Sequence, residues 1–349
     1  MAYSVRQSEA LPVAETLTGL WRRNLHIPPR IDLTARLRWY YVDAPEGPGR
    51  VMLLVATTAD GEAVVGCEGI GVRRFAVAGQ PGPVRAALLG DLAVDRAHRT
   101  LMPALNLVRA GRAAARELPL HYGFPNAAAA PLFERAGYRK LGTVTRWVRV
   151  LRHARYVKRV LANRTLARAS GALLDAARLA EAAVAAVSSS PLRLERLADV
   201  DDRVDRLWDA AHRQWGVIAW RGAAFLRWRF LREPASRCEI VCLCEPRTRE
   251  LRAYAVLEPD DDVTHIRDFL GVSARDVARL LDEVALRLYR RGAAAMSVSF
   301  LGAPRVEALL RSRHFMASPA ERVVFADAAP GVTIPAAERW YLTDADEDS

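Results

Sequence analysis

Residues 121–138 read HYGFPNAAAAPLFERAGY, and the rest of the chain explains why they stand in that order. The apolar run LPLHYGF, 118–124, has the character of a short strand. Pro125 and Asn126 stop it, since Pro gives no N–H to a ladder and Asn favours turns. The Ala-rich stretch 127–135 suits a short helix, and Gly137 stands where a left-handed residue would end one, ahead of Tyr138.

Upstream, HRTLMPALNLVRAGRAAARE (98–117) reads as an amphipathic helix with Leu101, Leu105, Val108 and Ala115 available for burial. Before it, 84–94 is a strand, and the runs on either side of Asp60-Gly61 form a hairpin. Helices are expected over 9–26 and 31–42, and 141–150 reads as one closing strand. Beyond Pro191 the order repeats. Leu226-Arg227-Trp228 stands like Leu37-Arg38-Trp39, and Pro234 like Pro45. Strands at 238–245 and 251–258, HIRDFLG, a helix over 274–291, the strand AAMSVSFLG, a helix at 304–312 and HFMAS follow in the same sequence. An internal duplication accounts for this.

Between the copies, 151–187 is helix-forming throughout and basic at its start. Arg146, Arg149, Arg152, Arg155, Lys158, Arg159, Arg164 and Arg168 recur at helical or near-helical spacing. Such a stripe is either a solvated face or a surface for an anionic membrane. The expected organisation is a first domain over 1–150, a basic, Ala-rich helical linker over 151–190, a second domain over 191–330 and a tail over 331–349.

Each copy orders its elements as helix, helix, hairpin, strand, helix, strand, helix, strand. With LAVDRAHRTLMPAL and GFPNAAAAPLFERAGY, the chain resembles the GNAT superfamily of acyl-CoA-dependent N-acyltransferases, over 10–150 by motif and over 195–328 by duplicated architecture. The resemblance implies an α/β fold with a mixed sheet, two tandem three-layer αβα units, and acetyl-CoA or another acyl-CoA as substrate. In that family an Arg/Gln-x-x-Gly-x-Gly/Ala run opens the helix after the fourth strand, and its amides hold the pyrophosphate. Here Arg99, Thr100, Leu101, Met102, Pro103 and Ala104 match it, with Met102 in place of the usual Gly. Asn126 matches the family's Asn beside the pantetheine arm, with Ala130 and Phe133 on the helix that packs along the cofactor. Many relatives carry a Tyr where this chain has Phe133. A phenyl ring has no proton to donate, so water, Tyr122 or Tyr138 would have to supply one, or this copy is impaired. The amides of Leu92, Ala93 and Val94 would face the oxyanion. Asp91 is the first candidate for the base and Glu68 the second, each also readable as a sheet-end carboxylate.

The second copy lacks the phosphate signature. VSARDVARLLDEV and FLGAP stand at the two motif positions, although Asp268 aligns with Asp91. This copy is expected to complete the substrate cleft or the sheet packing. Trp220, Arg227, Trp228 and Arg229 either line an acceptor groove or anchor helix to sheet.

Composition agrees with an anionic partner. Fifty-one Lys and Arg against 40 Asp and Glu leave a formal charge of +11. No zinc finger, RNP-like strand or Walker loop points to nucleic acid. Cys67, Cys238, Cys242 and Cys244 fit no common zinc spacing, so buried thiols and no metal are expected. No signal peptide or spanning helix is read, which implies a cytoplasmic, at most membrane-peripheral, protein. The activity implied is transfer of an acyl group to an amine on a small molecule, amino sugar or peptide, by direct attack in a ternary complex. The alternatives are a non-catalytic binding or scaffold protein, and a membrane-peripheral acyltransferase of envelope or exopolysaccharide assembly.

Overall fold

The computed structural model describes residues 2–59, 61–153, 192–318 and 322–347. The first half runs β1 (Ala2–Ser8), α1 (Ala14–Asn24), α2 (Leu33–Tyr41), β2 (Arg50–Thr58), β3 (Gly61–Val77) and β4 (Val84–Val94). It continues with α3 (Leu101–Ala115), β5 (Leu120–Gly123), α4 (Ala130–Ala136), β6 (Arg139–Thr143) and β7 (Thr145–Val150). The second half begins with β8 (Arg193–Leu197), α5 (Arg203–Ala211), β9 (Val217–Ala219) and α6 (Ala223–Leu226), which a wider π turn extends over Arg227–Leu231. Next come β10 (Glu239–Cys244), β11 (Leu251–Asp260), β12 (Val263–Gly271), α7 (Ala274–Arg290) and β13 (Ala295–Gly302). The last elements are α8 (Pro304–Ser312), β14 (Met316–Ser318), β15 (Val323–Ala328) and β16 (Trp340–Leu342). Apart from β9 and β16, each of these strands and helices has a counterpart in the other half among the described residues.

The layers follow from alternation along each strand. On β2, Val51 and Leu53 pack toward α1 and α2, while Met52, Leu54 and Ala56 pack toward α3. The expected αβα arrangement is thereby present. Asp32 starts α2 by accepting from the Thr34 and Ala35 amides, at 2.8 and 3.2 Å. Gly137 ends α4 at φ +92°.

The closing strand differs from expectation. Residues 139–150 form two strands broken at Val144, and the two strands enter different sheets. β6 pairs with β15 of the second half, which itself lies between β5 and β6. β7 crosses over to lie between β13 and β14. The halves thus exchange their last strands. One residue between β6 and β7 is too few for a hairpin turn, so the chain runs straight on into the neighbouring sheet. Arg146 and Arg149 consequently sit on a strand, not a helix. Arg149 is buried and meets Asp282 at 2.9 Å. Arg152 covers the Tyr289 ring at 4.4 Å. The helical reading of the rest of the basic segment, with Arg155, Lys158, Arg159, Arg164 and Arg168, lies outside the described residues.

A second bridge, β3–β9–β16–β13, joins the two sheets into one. The segment read as a tail therefore ends as core: Trp340, Tyr341, Leu342, Ala345 and Asp346 are buried. The largest apolar cluster runs through both halves. At its centre the two aligned tryptophans meet: the Trp39 and Trp228 rings stack at 5.0 Å. Each indole N–H donates to the other's carbonyl at 2.8 Å. Trp228 and Arg229 are buried here, with Arg73 4.7 Å from the centre of the Trp228 ring and Arg229 5.5 Å from that of Trp39. Trp220 is half-buried beneath Arg74. Of the two readings for these residues, the anchoring one describes Trp228 and Arg229. No described helix is long and apolar enough to cross a membrane.

Candidate active site

β4 and β5 run parallel only from Ala86–Leu89 against Leu120–Gly123, and then part. Where they part, β4 bulges: two residues, Asp91 and Leu92, oppose the single Glu68 on β3. A bulge bends its strand and leaves a backbone group out of the ladder. Asp91 takes φ +50°, a region that costs a non-glycine residue about 1–3 kcal/mol unless its surroundings enforce it. They do. Arg36 grips both Asp91 carboxylate oxygens at 2.9 and 3.0 Å, and the Tyr41 hydroxyl donates at 2.7 Å. Tyr41 reaches it over Gly69, where any Cβ would overlap the hydroxyl. Asp91 is therefore not the free carboxylate the sequence suggested as base; its oxygens hold the bulge in shape. Cys67 lies beneath, its thiol 3.6 Å from the Asp91 carbonyl, and burial raises its pKa, which leaves it a poor nucleophile.

The opening between β4 and β5 is a cavity of about 230 Å³. Leu89 to Leu92, Glu68, Phe124 to Asn126, Ala129, Phe133, Arg36 and Leu25 to Ile27 line it. Glu68 is fully buried and neither carboxylate oxygen has a hydrogen-bond partner among the described residues. It fits because Gly111 on α3 leaves room; a Cβ there would collide with it. Burial pushes the Glu68 carboxyl well above the usual carboxylate range. Behind Phe133, at 5.0 Å between rings, stands Tyr138, whose buried hydroxyl has no hydrogen-bond partner among the described residues. Burial first, then the Glu68 charge, raises that phenol. Tyr138 is outside the cavity lining. Tyr122 is on the other face of β5, against Phe75, donating to the Asp346 carbonyl at 3.2 Å. Neighbours on a strand point to opposite faces, so Tyr122 is turned away from the cavity.

The turn after β4 leads straight to the N-terminus of α3. Thr100 makes no capping hydrogen bond, and the first turn carries no acid. Its unpaired amides and the helix dipole leave partial positive charge facing solvent. Leu101 and Met102 stand exposed there at 47% and 56%, so Leu101 does not join the core as its spacing suggested. Pro103 and Ala104 are buried. Arg99 is tied down, donating to the Val94 carbonyl at 2.8 Å and to Asn24 at 2.7 Å. Asn126 spends its side-chain oxygen on the Ala128 and Ala129 amides, at 3.1 and 3.0 Å, which leaves its NH₂ for a ligand. Ala130 opens α4 on the same side.

The equivalent place in the second half is filled. β12 and β13 pair over Val263–Ile266 and Ala295–Val298 and then part, and β16 enters the gap. Asp268, the counterpart of Asp91, accepts from Tyr254 at 2.5 Å and from Thr343 at 2.7 Å. Arg221 lies 3.4 Å from Asp268 and 2.5 Å from Asp346. α7 is also closed to anions: Ser273 caps it, and Asp276 puts a carboxylate in its first turn.

Sequence reasoning missed Arg36, Tyr41 and His26. Arg36 and Tyr41 reach the bulge from α2, about 50 residues away in the chain. His26, in the α1–α2 connection, is exposed at the cavity mouth. A helix–helix loop gave no signal that it would close over a strand end.

No family model and no curated protein matches the chain by sequence. Solved structures do match in fold. A probable N-acyltransferase of unknown function from Enterococcus faecalis superposes with a TM-score of 0.63 at 10% identity, over 94% of this chain and 72% of that one. A GCN5-related N-acetyltransferase from Anabaena variabilis gives 0.62 at 12%, over 93% and 73%. The N-myristoyltransferase of Saccharomyces cerevisiae with bound myristoyl-CoA gives 0.55 at 10%, over 99% and 85%. At these identities the likeness is one of fold.

Proposed function

Because the chain takes the GCN5-related N-acetyltransferase fold twice over, we propose that its first copy is an acyl-CoA-dependent N-acyltransferase. The observation that carries this is the contrast between the clefts. One is open, and the helix that follows its strand in the chain has an uncapped N-terminus; the other is filled by β16, and the helix that follows has a capped, acidic one. The α3 amides at Leu101 and Met102, with the charges of Arg96 and Arg99 nearby, would hold the pyrophosphate. The Asn126 NH₂ would meet the pantetheine arm, with Ala130 and Phe133 packed beside it. Backbone N–H groups among Leu92 to Val94, beside the bulge, would stabilise the oxyanion as an amine attacks the thioester carbonyl. Both reactants are held in one ternary complex, so positioning supplies much of the rate. The acyl length and the acceptor are left to experiment, with acetyl-CoA the simplest donor.

Calorimetric titration with CoA tests the site. One site per chain is expected. Met102→Asp, an exposed change that places an acid where α7 carries Asp276, should weaken binding by about tenfold or more, which is about 1.4 kcal/mol. Two equal sites, or an unchanged affinity for this variant, would exclude the assignment. A non-catalytic binding role is the second reading, favoured by Phe133 standing where a proton-donating Tyr is usual. CoA binding without transfer to any amine would support it.

A further inference from the structure

We propose that the junction between the halves carries a second ligand site, a hollow around Trp215 in which Arg213, Arg305 and Arg339 bind a phosphate monoester. The site is independent of the acyltransferase reading, which concerns the far end of β4.

The hollow, of about 460 Å³, lies where the chain after α5 meets the start of α8 and the approach to β16. Trp215 lines it half-buried, its ring 4.5 Å from that of Tyr341 on β16. The three arginines reach it from three segments, and all are exposed. Arg305 lies over the Trp215 ring at 4.1 Å and donates to the Gln214 carbonyl. The stacking orients the planar guanidinium, and most of its five N–H donors stay available. Arg339 comes in because residue 216 is glycine: a Cβ there would stand 2.9 Å from its Nε and 2.7 Å from its carbonyl oxygen. Arg213 and Arg339 have no ion pair or side-chain hydrogen bond among the described residues. Among the described residues lining the hollow, the one acid is Glu338, and it pairs with none of the three.

Charge selects the ligand. Three arginines against Glu338 leave an excess that a phosphate monoester, at about −1.5 to −2 near pH 7, would balance. Guanidinium forks also match phosphate oxygens two at a time. A hollow of about 430 Å³ beside β10 makes the contrast. It too gathers three arginines, Arg196, Arg237 and Arg291, but Glu239, Asp261 and Asp262 line it with them and offset their charge. Around Trp215 that compensation is left to a ligand. A neighbouring hollow of about 410 Å³ shares Ala78, Arg213 and Trp215 and has no acid in its lining among the described residues. It gives room for the body that carries the phosphate.

The place in the fold gives such a ligand an effect. The neighbouring hollow is bordered by the turn that leads into β4 at Val84, whereas the bulge of the open cleft is at Asp91, about 20 Å further along the strand. The site is thus separate from the cleft. Arg213 precedes β9, Arg305 follows β13 and Arg339 precedes β16. These are strands of the bridge that joins the two sheets. A ligand gripped by all three arginines ties the bridge together, and binding to the folded state alone raises the melting temperature.

The test is calorimetric titration of the full chain with inorganic phosphate, glucose 6-phosphate and glucose, with flotation on phosphatidic acid and phosphatidylcholine vesicles beside it. A phosphate-bearing probe should bind saturably and raise the melting temperature, and glucose and phosphatidylcholine should do neither. Binding to glucose 6-phosphate marks a soluble ligand; binding to phosphatidic acid alone marks a lipid headgroup. Arg213→Gln, Arg305→Gln and Arg339→Gln should each weaken binding about tenfold. Arg247→Gln, which removes an arginine in the β10–β11 turn, should leave it unchanged. All four positions are exposed, so the fold is kept. Met102→Asp should also leave it unchanged, which separates this site from the start of α3. If no phosphate-bearing probe binds, the proposal is overturned. It is overturned equally if Arg247→Gln or Met102→Asp weakens binding as much as the three, or if the three leave it intact.

Discussion

His121 on β5 and Asp327 on β15 come from opposite halves of the chain and end 3.9 Å apart in a buried corner. Arg112 closes the corner, donating to Asp327 at 2.6 Å. Neither ring nitrogen of His121 has a hydrogen-bond partner among the described residues. Burial lowers its pKa from 6.5 to about 4, against a partial upward pull from Asp327 and with Arg112 and Arg116 opposing the charge further. Between those two values the unfolded chain binds a proton that the folded chain refuses, so stability is full above the upper value and falls as pH drops toward the lower. The loss is at most about 3 kcal/mol. Urea denaturation at pH 7 and pH 4.5 should show it, and His121→Gln should lose that share of the acid sensitivity. An equal acid loss in the variant would refute the role of this histidine. The identity of His121 could be read from the chain; its isolation could not, because Asp327 arrives on an exchanged strand.

At the scale of elements, β16 and the turn after it decide that the two clefts differ. Trp340 and Tyr341 pair with Val217 and Ile218 on β9, and Leu342 and Tyr341 pair with Leu301 and Gly302 on β13. Gly302, at φ +146°, is required here, since a Cβ would overlap the Trp340 carbonyl. Asp346 then completes the buried pair with Arg221. Deleting 337–349 would leave Arg221 buried with half its compensation, and breaking such a pair costs about 3–5 kcal/mol. The expected thermal shift is on the order of 10 °C downward by scanning calorimetry. A melting temperature within a degree or two of wild type would mean the segment is a passive cover. The residues WYL had the apolar character of a strand, but a single short run after a Pro-containing stretch carries no sign of its pairing partners.

For the whole molecule, the strand exchange makes each half's sheet depend on the other. A fragment of residues 1–153 keeps β7 with no sheet to join and lacks β15, which leaves facing edges on β5 and β6. Such unpaired edges invite aggregation. The fragment should be insoluble or self-associated when expressed alone, and soluble when co-expressed with 192–349. Gel filtration and CoA titration of each preparation check this. A lone fragment that is monomeric, melts cooperatively and binds CoA as the full chain does would show that the exchange is dispensable.

The αβα layering and most of the order of elements were legible in the chain because they rest on local signals, although β1, β8, β9 and β16 were not read and β6 and β7 were read as one strand. Strands 84–94 and 304–312 as helix came out at their observed limits, and the Trp39–Trp228 correspondence proved to be a contact as well as an alignment. Among the candidate residues, Asp91, Glu68, Leu92, Asn126 and Phe133 line one cavity. Their states were not legible. Whether Asp91 is free or gripped depends on Arg36 and Tyr41; whether Glu68 is charged depends on its burial under Gly111; whether a cleft is open depends on where β16 lies. Each of these is set by groups distant in sequence. Periodicity and turn chemistry report only on neighbours along the chain, whereas desolvation, ion pairing and strand exchange arise from contacts that exist once the sheet has closed.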